Sequence, residues 1–149
     1  MTEQMIIDAE NLVAGRLASY AAKKALEGYQ VDIINAEKAL ITGSKAFIMK
    51  KQRERRHRTE PRWGPFFMRK EDRFLRRMIR GMLNYKASRG REAYERVMCY
   101  IGVPPQFQNK PVEKLEHMSI RKLKNLKFVD IRTICQLMGS KTFKTTGVK

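Results

Sequence analysis

The chain has 149 residues and carries 32 Lys and Arg against 15 Asp and Glu, a formal net charge of +17 with both histidines neutral. That length allows one domain with a single real core, and 42% hydrophobic residues with only 9 Gly and 5 Pro exclude a disordered, collagenous or low-complexity chain. No apolar run approaches the 18 or so residues that span a bilayer, and MTEQMIIDAE has neither the positive region nor the apolar core of a signal peptide. A soluble, cytoplasmic chain with no membrane partner is expected.

The charge is unevenly placed. Residues 1–44 hold 4 basic and 6 acidic side chains, net −2; residues 45–91 hold 17 and 4, net +13; residues 92–149 hold 11 and 5, net +6. The first third reads as scaffold and the middle third as the part that faces a polyanion.

In chain order, Met5-Ile6-Ile7 predicts a strand. A helix over Val13 to Glu27 follows, with Asn11 as N-cap, Gly28 as stop, and Ala14, Leu17, Ala18, Ala21 and Ala25 forming a narrow face that can lie close to a sheet. Val31 to Ile34 and Ala39 to Thr42 predict two more strands, and Val97 to Ile101 a fourth, ended by Gly102 and Pro104-Pro105. Strands separated by helices argue for parallel β/α units.

Between the third and fourth strands two basic helices and a loop are expected. The helix from Ser44 begins apolar and then becomes KKQRERRHR, with Lys50, Lys51, Arg53, Arg55, Arg56 and Arg58 on every side. With no apolar stripe left, it reads as a projecting arm ordered by a polyanion. The loop TEPRWGPFFMR interleaves Arg62 and Arg69 with Trp63, Phe66 and Phe67. Its aromatics either stack on unpaired bases or plug the rim of the core; its arginines favour phosphates. In the helix from Lys70 to Leu83, Phe74, Leu75, Met78, Ile79, Met82 and Leu83 fall on one face and Arg73, Arg76, Arg77 and Arg80 on the other. No acid interrupts those four arginines, which favours an anion-binding face over a merely solubilising one.

After Pro105 an extended surface segment is expected. Phe128-Val129 then reads as a short strand, Asp130 as an N-cap, and Ile131, Ile134, Cys135 and Met138 as the face of a satellite helix stopped by Gly139. SKTFKTTGVK reads as a flexible basic tail.

Catalytic patterns are weak. Gly43-Ser44-Lys45 lacks the glycine spacing of a phosphate loop, and GxGxxG is absent. Two helix N-termini carry Arg16 and Lys45, and each is either a phosphate site or an ordinary turn. His57 sits within RRHR and reads as a phosphate contact; Asp8, Glu10 and Glu37 read as strand-end caps. Cys99 and Cys135 lie in apolar company without metal-ligand spacing, so both are expected to be buried, reduced thiols. No metal or cofactor is expected.

The segments MIIDAENLVAGRLASYAAKKAL, VDIINAEKALITGSK, RWGPF, MIRGML and AYERVMCYIGVP, in this order and spacing, resemble the universal large-subunit ribosomal protein thirteen family in its archaeal and eukaryotic-type form, over roughly residues 5–105. The resemblance implies a three-layer α/β/α fold around a four-stranded parallel sheet. The core would span residues 1–104, with a basic excursion over 45–91 and a C-terminal segment over 105–149. It implies a structural role in the large ribosomal subunit, early participation in assembly, contact with rRNA and neighbouring ribosomal proteins, and no enzymatic activity. Arg77, Arg80, Gly81, Lys86, Arg89 and Arg91 would be rRNA contacts by this likeness. Asn84 stands where the family commonly has proline. No homo-oligomer is expected. The alternatives are a free RNA-binding regulator of translation and a small phosphate-handling α/β enzyme.

Overall fold

The chain alternates strands and helices through its first hundred residues. The computed structural model describes residues 3–140 other than 59, 61 and 125. The elements are β1 (Gln4–Asp8), α1 (Ala14–Glu27), β2 (Gln30–Ile34), β3 (Leu40–Thr42), α2 (Lys45–His57), α3 (Glu71–Met82), α4 (Ser88–Glu95), β4 (Val97–Cys99), β5 (Phe128–Asp130) and α5 (Ile131–Leu137). The class is mixed α/β with a parallel sheet, as the alternation predicts. The tail over 141–149 lies outside the described residues.

The sheet differs from the expected four parallel strands. Three strands pair in parallel in the order β1-β2-β4, with Ile7 opposite Ile33 and Ile33 opposite Cys99. β3 instead pairs antiparallel with β5, Ile41 opposite Val129, as a separate two-stranded sheet. The cause is connection length. Only Asn35 to Ala39 join β2 to β3, and a parallel return needs a crossover of about a dozen residues or more. Asn35 at φ 54 and a 3-10 turn over Ala36–Lys38 turn the chain out of the sheet.

Successive residues of a strand face opposite sides of the sheet, and here the two sides are covered differently. Ile7 and Ile33 join the main core with Leu17, Leu75, Ile79 and Val97. Ile6 and Ile34 form a small second cluster with Phe107, against which Tyr100 and Val112 pack. The expected third helical layer is thus replaced, around this cluster, by the segment after Pro105. That segment is anchored where the Glu113 N–H donates to the Ile6 carbonyl at 2.8 Å and the Glu113 carbonyl accepts from Asp8 N–H at 3.3 Å. It does run over the surface, but its own Phe107 and Leu115 are buried.

The N-terminus of α1 is also shifted. Val13, not Asn11, occupies the cap position and makes no side-chain cap bond. Asn11 sits at φ 60, and its carbonyl accepts from Ile120 N–H while Val13 N–H donates to Met118. The approach to the helix is held by the C-terminal segment instead of by a capping side chain. Gly28 ends α1 as predicted, in the left-handed region at φ 106.

α5 is no satellite. Ile131, Ile134 and Cys135 belong to the main core and are at most 1% exposed. Asp130 caps the helix, its Oδ2 accepting from Thr133 N–H at 3.3 Å.

Candidate nucleic-acid interface

α2 begins at Ser44, whose Oγ accepts from Phe47 N–H at 3.4 Å. Ile48, Met49 and Gln52 turn inward and are buried, so the first two turns are anchored and α2 is not free along its whole length. Beyond Gln52 every residue to Arg58 is exposed. Lys45, Lys50 and Lys51 are exposed as well. Three ion pairs, Lys24 with Glu27, Lys38 with Glu10 and Arg96 with Glu92, lie outside the basic belt. Among the described residues Lys50, Lys51, Arg53, Arg56 and Arg58 have no carboxylate partner, and Glu54 alone among the residues of α2 carries a negative charge, so the local field is strongly positive.

The loop after α2 divides its aromatics. Trp63 is 85% exposed and Phe66 is 58% exposed, whereas Phe67 packs against the main core. Base stacking therefore remains available to the first two, and Phe67 fills the rim. Arg62 and Arg69 are exposed. Arg69 lies near the end of α5, its Nη1 3.9 Å from where a Cβ on Gly139 would stand.

The arginine face of α3 is not the open set of four that the helical wheel predicts. Arg73 is exposed. Arg76 is turned into the fold: its Nε donates to the Val97 carbonyl at 2.9 Å and its Nη2 to the Tyr94 carbonyl at 3.5 Å. Val97 starts β4 at the sheet edge and Tyr94 lies in the last turn of α4, and a guanidinium carries enough donors to satisfy both carbonyls. Arg77 donates through Nη1 to the Phe66 carbonyl at 2.7 Å, tying the aromatic loop to α3. Arg80 lies over the Tyr85 ring, 4.9 Å from its centroid. Arg77 and Arg80 are half-buried and keep part of their surface open to solvent.

A third helix, α4, completes the excursion where two basic helices were expected. It has eight residues and contains Gly90, so no long apolar period announces it. Lys86, Arg89 and Arg91 are exposed on and before it. Gly90 is buried because the 84–85 turn folds onto it: an added Cβ would stand 2.0 Å from the Asn84 carbonyl oxygen. Asn84 ends the α3 exit by accepting from Ala87 N–H at 3.1 Å. Arg16 is exposed on α1, and Ser19 one turn later donates to Met82 Sδ at 3.1 Å. That contact sets the Arg16 face beside the end of α3.

The first-third carboxylates are structural. Asp8 Oδ1 accepts from Glu10 N–H and Asn35 Nδ2, Glu10 pairs with Lys38 at 3.2 Å, and Glu37 Oε2 accepts from Gly102 N–H at 3.0 Å. Cys99 and Cys135 are buried free thiols, each pushed up to about 12 by burial. Among the described residues no group of three or more His, Cys, Asp or Glu is placed to hold a metal ion, and no helix is long and apolar enough to cross a membrane. His57 is exposed at the end of α2, whereas His117 makes an edge contact with Tyr20.

Between α2, the loop and α3 lies an open cleft of about 790 Å3. It brings Lys51 and Arg55 of α2 and Arg58 just after it round one opening with Arg77 and Arg80 of α3, so cations far apart in sequence share one surface. Phe47, Gln52, Met82 and Tyr85 line it too. Charge counting passes over these four. The signal for Gln52 was its position four residues after Ile48, on the same helical face.

A family model described as Ribosomal protein L13 matches residues 2–106. The large ribosomal subunit protein uL13 of Methanosarcina barkeri is 43% identical over 137 residues, covering 91% of this chain and 98% of its own length. That of Methanocaldococcus jannaschii is 43% identical over 140 residues, covering 91% and 98%. The Archaeoglobus fulgidus protein of the same name is 38% identical over 135 residues, covering 90% and 86%.

Proposed function

The chain belongs to the ribosomal protein L13 family, and on that premise we propose that it binds large-subunit rRNA through the 45–91 belt as a structural constituent of the large ribosomal subunit. It resides in that subunit in the cytoplasm and is not an enzyme. The observation that carries the rRNA reading is the meeting of α2 and α3 cations round one cleft, above a core that fixes the roots of both helices. The belt positions are Lys45, Lys50, Lys51, Arg53, Arg55, Arg56, Arg58, Arg62, Trp63, Arg69, Arg73, Arg77, Arg80, Lys86, Arg89 and Arg91, with Arg16 beside them. Arg76 serves this surface indirectly, by fixing α3 on β4. Neighbouring ribosomal proteins and a part in early subunit assembly belong to the same reading. The segment over 105–124, held by backbone bonds to β1 and to Asn11 and Val13 ahead of α1, is a surface for such a neighbour.

Phosphate neutralisation predicts steep salt dependence. With about 6 to 10 phosphates engaged, the slope of log K against log salt is roughly −4 to −7 at about 0.7 per single-strand contact. Binding of a large-subunit rRNA fragment by filter retention over a range of potassium chloride measures it. A slope near zero overturns the proposal. Sedimentation of cell extract separates this role from that of a free regulator: nearly all of the chain should travel with the large subunit.

A further inference from the structure

We propose that the cleft between α2 and α3 is a receptor for one unstacked nucleobase of an RNA strand, held on an apolar floor while its flanking phosphates meet the cationic rim. This rests on the RNA-binding reading above and adds a site to it. The cleft volume, about 790 Å3, falls in the range of small-molecule sites, roughly 300 to 1,000 Å3. Its floor is apolar, with Ile48 and Phe74 buried beneath it. Phe47 at 63% and Met82 at 46% exposed offer flat or soft apolar surface to solvent, and Tyr85, 43% exposed, adds its ring with the Arg80 guanidinium over it.

Two observations select a nucleotide over an apolar peptide. First, the residues lining the cleft include Lys51 and Arg55 from α2, Arg58 just after it, two arginines from α3 and no acid. A phosphodiester on either side of an inserted base meets that rim directly, and stacking in a cationic groove is how single strands are held. Second, Gln52 lines the cleft, is 5% exposed, and its Oε1 has no hydrogen-bond partner among the described residues. A buried unpaired amide oxygen is costly in the free protein. Once the side chain turns toward the opening, the exocyclic amino group or ring N–H of a base can donate to it, which an aliphatic side chain cannot. Arg77 fixes the geometry, since its bond to the Phe66 carbonyl holds the loop wall in place.

The test uses the full chain and a single-stranded RNA octamer carrying one 2-aminopurine, with an abasic octamer and a duplex of the same sequence as controls. In low salt we expect the octamer to bind, the 2-aminopurine emission to change, and the abasic octamer to bind at least fivefold more weakly. Gln52→Leu should abolish that fivefold difference and leave duplex binding within twofold. It should also raise Tm, because an unpaired buried amide is replaced by a hydrocarbon. Phe47→Ala, at an exposed position, should reduce the difference without touching the fold. Equal binding of abasic and intact octamers in every register overturns the base receptor and leaves charge-based RNA binding standing. Displacement of the octamer by a polyglutamate peptide with no RNA-base preference assigns the cleft to acidic protein and also overturns it. No binding of any RNA at low salt overturns both readings.

Discussion

The Arg76 guanidinium lies 4.5 Å from the centroid of the Tyr94 ring, in the same side chain that donates to the Val97 carbonyl. One arginine of the basic belt therefore clamps α3 to α4 and β4. Its stacking and its hydrogen bonds together are worth about 1–3 kcal/mol. Arg76→Gln should lower stability by about that amount in urea denaturation and leave the salt slope of RNA binding nearly unchanged. An unaltered midpoint with a shallower slope would place Arg76 on the RNA instead.

The opposite result is expected on α2. Lys50, Arg53, Arg56 and Arg58 are exposed and have no carboxylate partner among the described residues. Changing all four to Gln should leave the circular dichroism spectrum and Tm within experimental scatter. The salt slope should fall by up to about 3, at about 0.7 for each lost phosphate contact. A slope that does not move removes this helix from the interface.

Two glycines of the same excursion should respond oppositely to alanine. At Gly90 the added methyl meets the Asn84 carbonyl 2.0 Å away, a backbone atom that cannot step aside. Gly90→Ala should destabilise by about 2 kcal/mol or more, as overpacked sites do. At Gly81 nothing lies within 4 Å of a built Cβ, and the residue is inside α3. Gly81→Ala should add up to about 1 kcal/mol of stability through lower unfolded-state entropy. Thermal unfolding of both variants checks the contrast.

The buried thiols predict alkaline behaviour. Burial pushes Cys99 and Cys135 up to about 12, whereas an unfolded thiol ionises near about 8.5. The folded state then holds protons that the unfolded state has lost. Stability from each thiol is complete below about pH 8.5 and declines as pH rises toward about 12, by at most about 1.4 kcal/mol per pH unit. Cys99→Ala/Cys135→Ala should flatten the decline between pH 9 and 10.5, measured by urea midpoint. Iodoacetamide at pH 8 should label the native thiols far more slowly than the unfolded ones.

The apolar runs of the first third were legible because their periods are unmixed: Ile6-Ile7, Val31 to Ile34 and the alanine face of α1 each admit one structure. The sheet order was less so. β3 looks like its neighbours in composition, and only the five-residue connection after Ile34 says that it cannot be parallel to β2. The belt was legible as charge but not as geometry. A helical wheel places Arg76 and Arg73 on one face, yet it cannot show that carbonyls of β4 and α4 wait beside one of them. Gln52 was hidden for a related reason, since a carboxamide counts as polar in any periodicity and here is buried. α4 was missed because eight residues with a central glycine carry too little pattern.

β3 is held by a strand almost ninety residues downstream, and α2 springs from the end of β3. A chain made from its N-terminus therefore has its most cationic helix long before it has the partner that fixes where that helix starts. Closing so long a loop is also among the slower steps available to a small fold. During that interval the root of α2 lacks its final anchor, while the arginines beyond it are already on the chain. Order of synthesis, and not only the finished shape, then separates the making of the cationic helix from the fixing of its position.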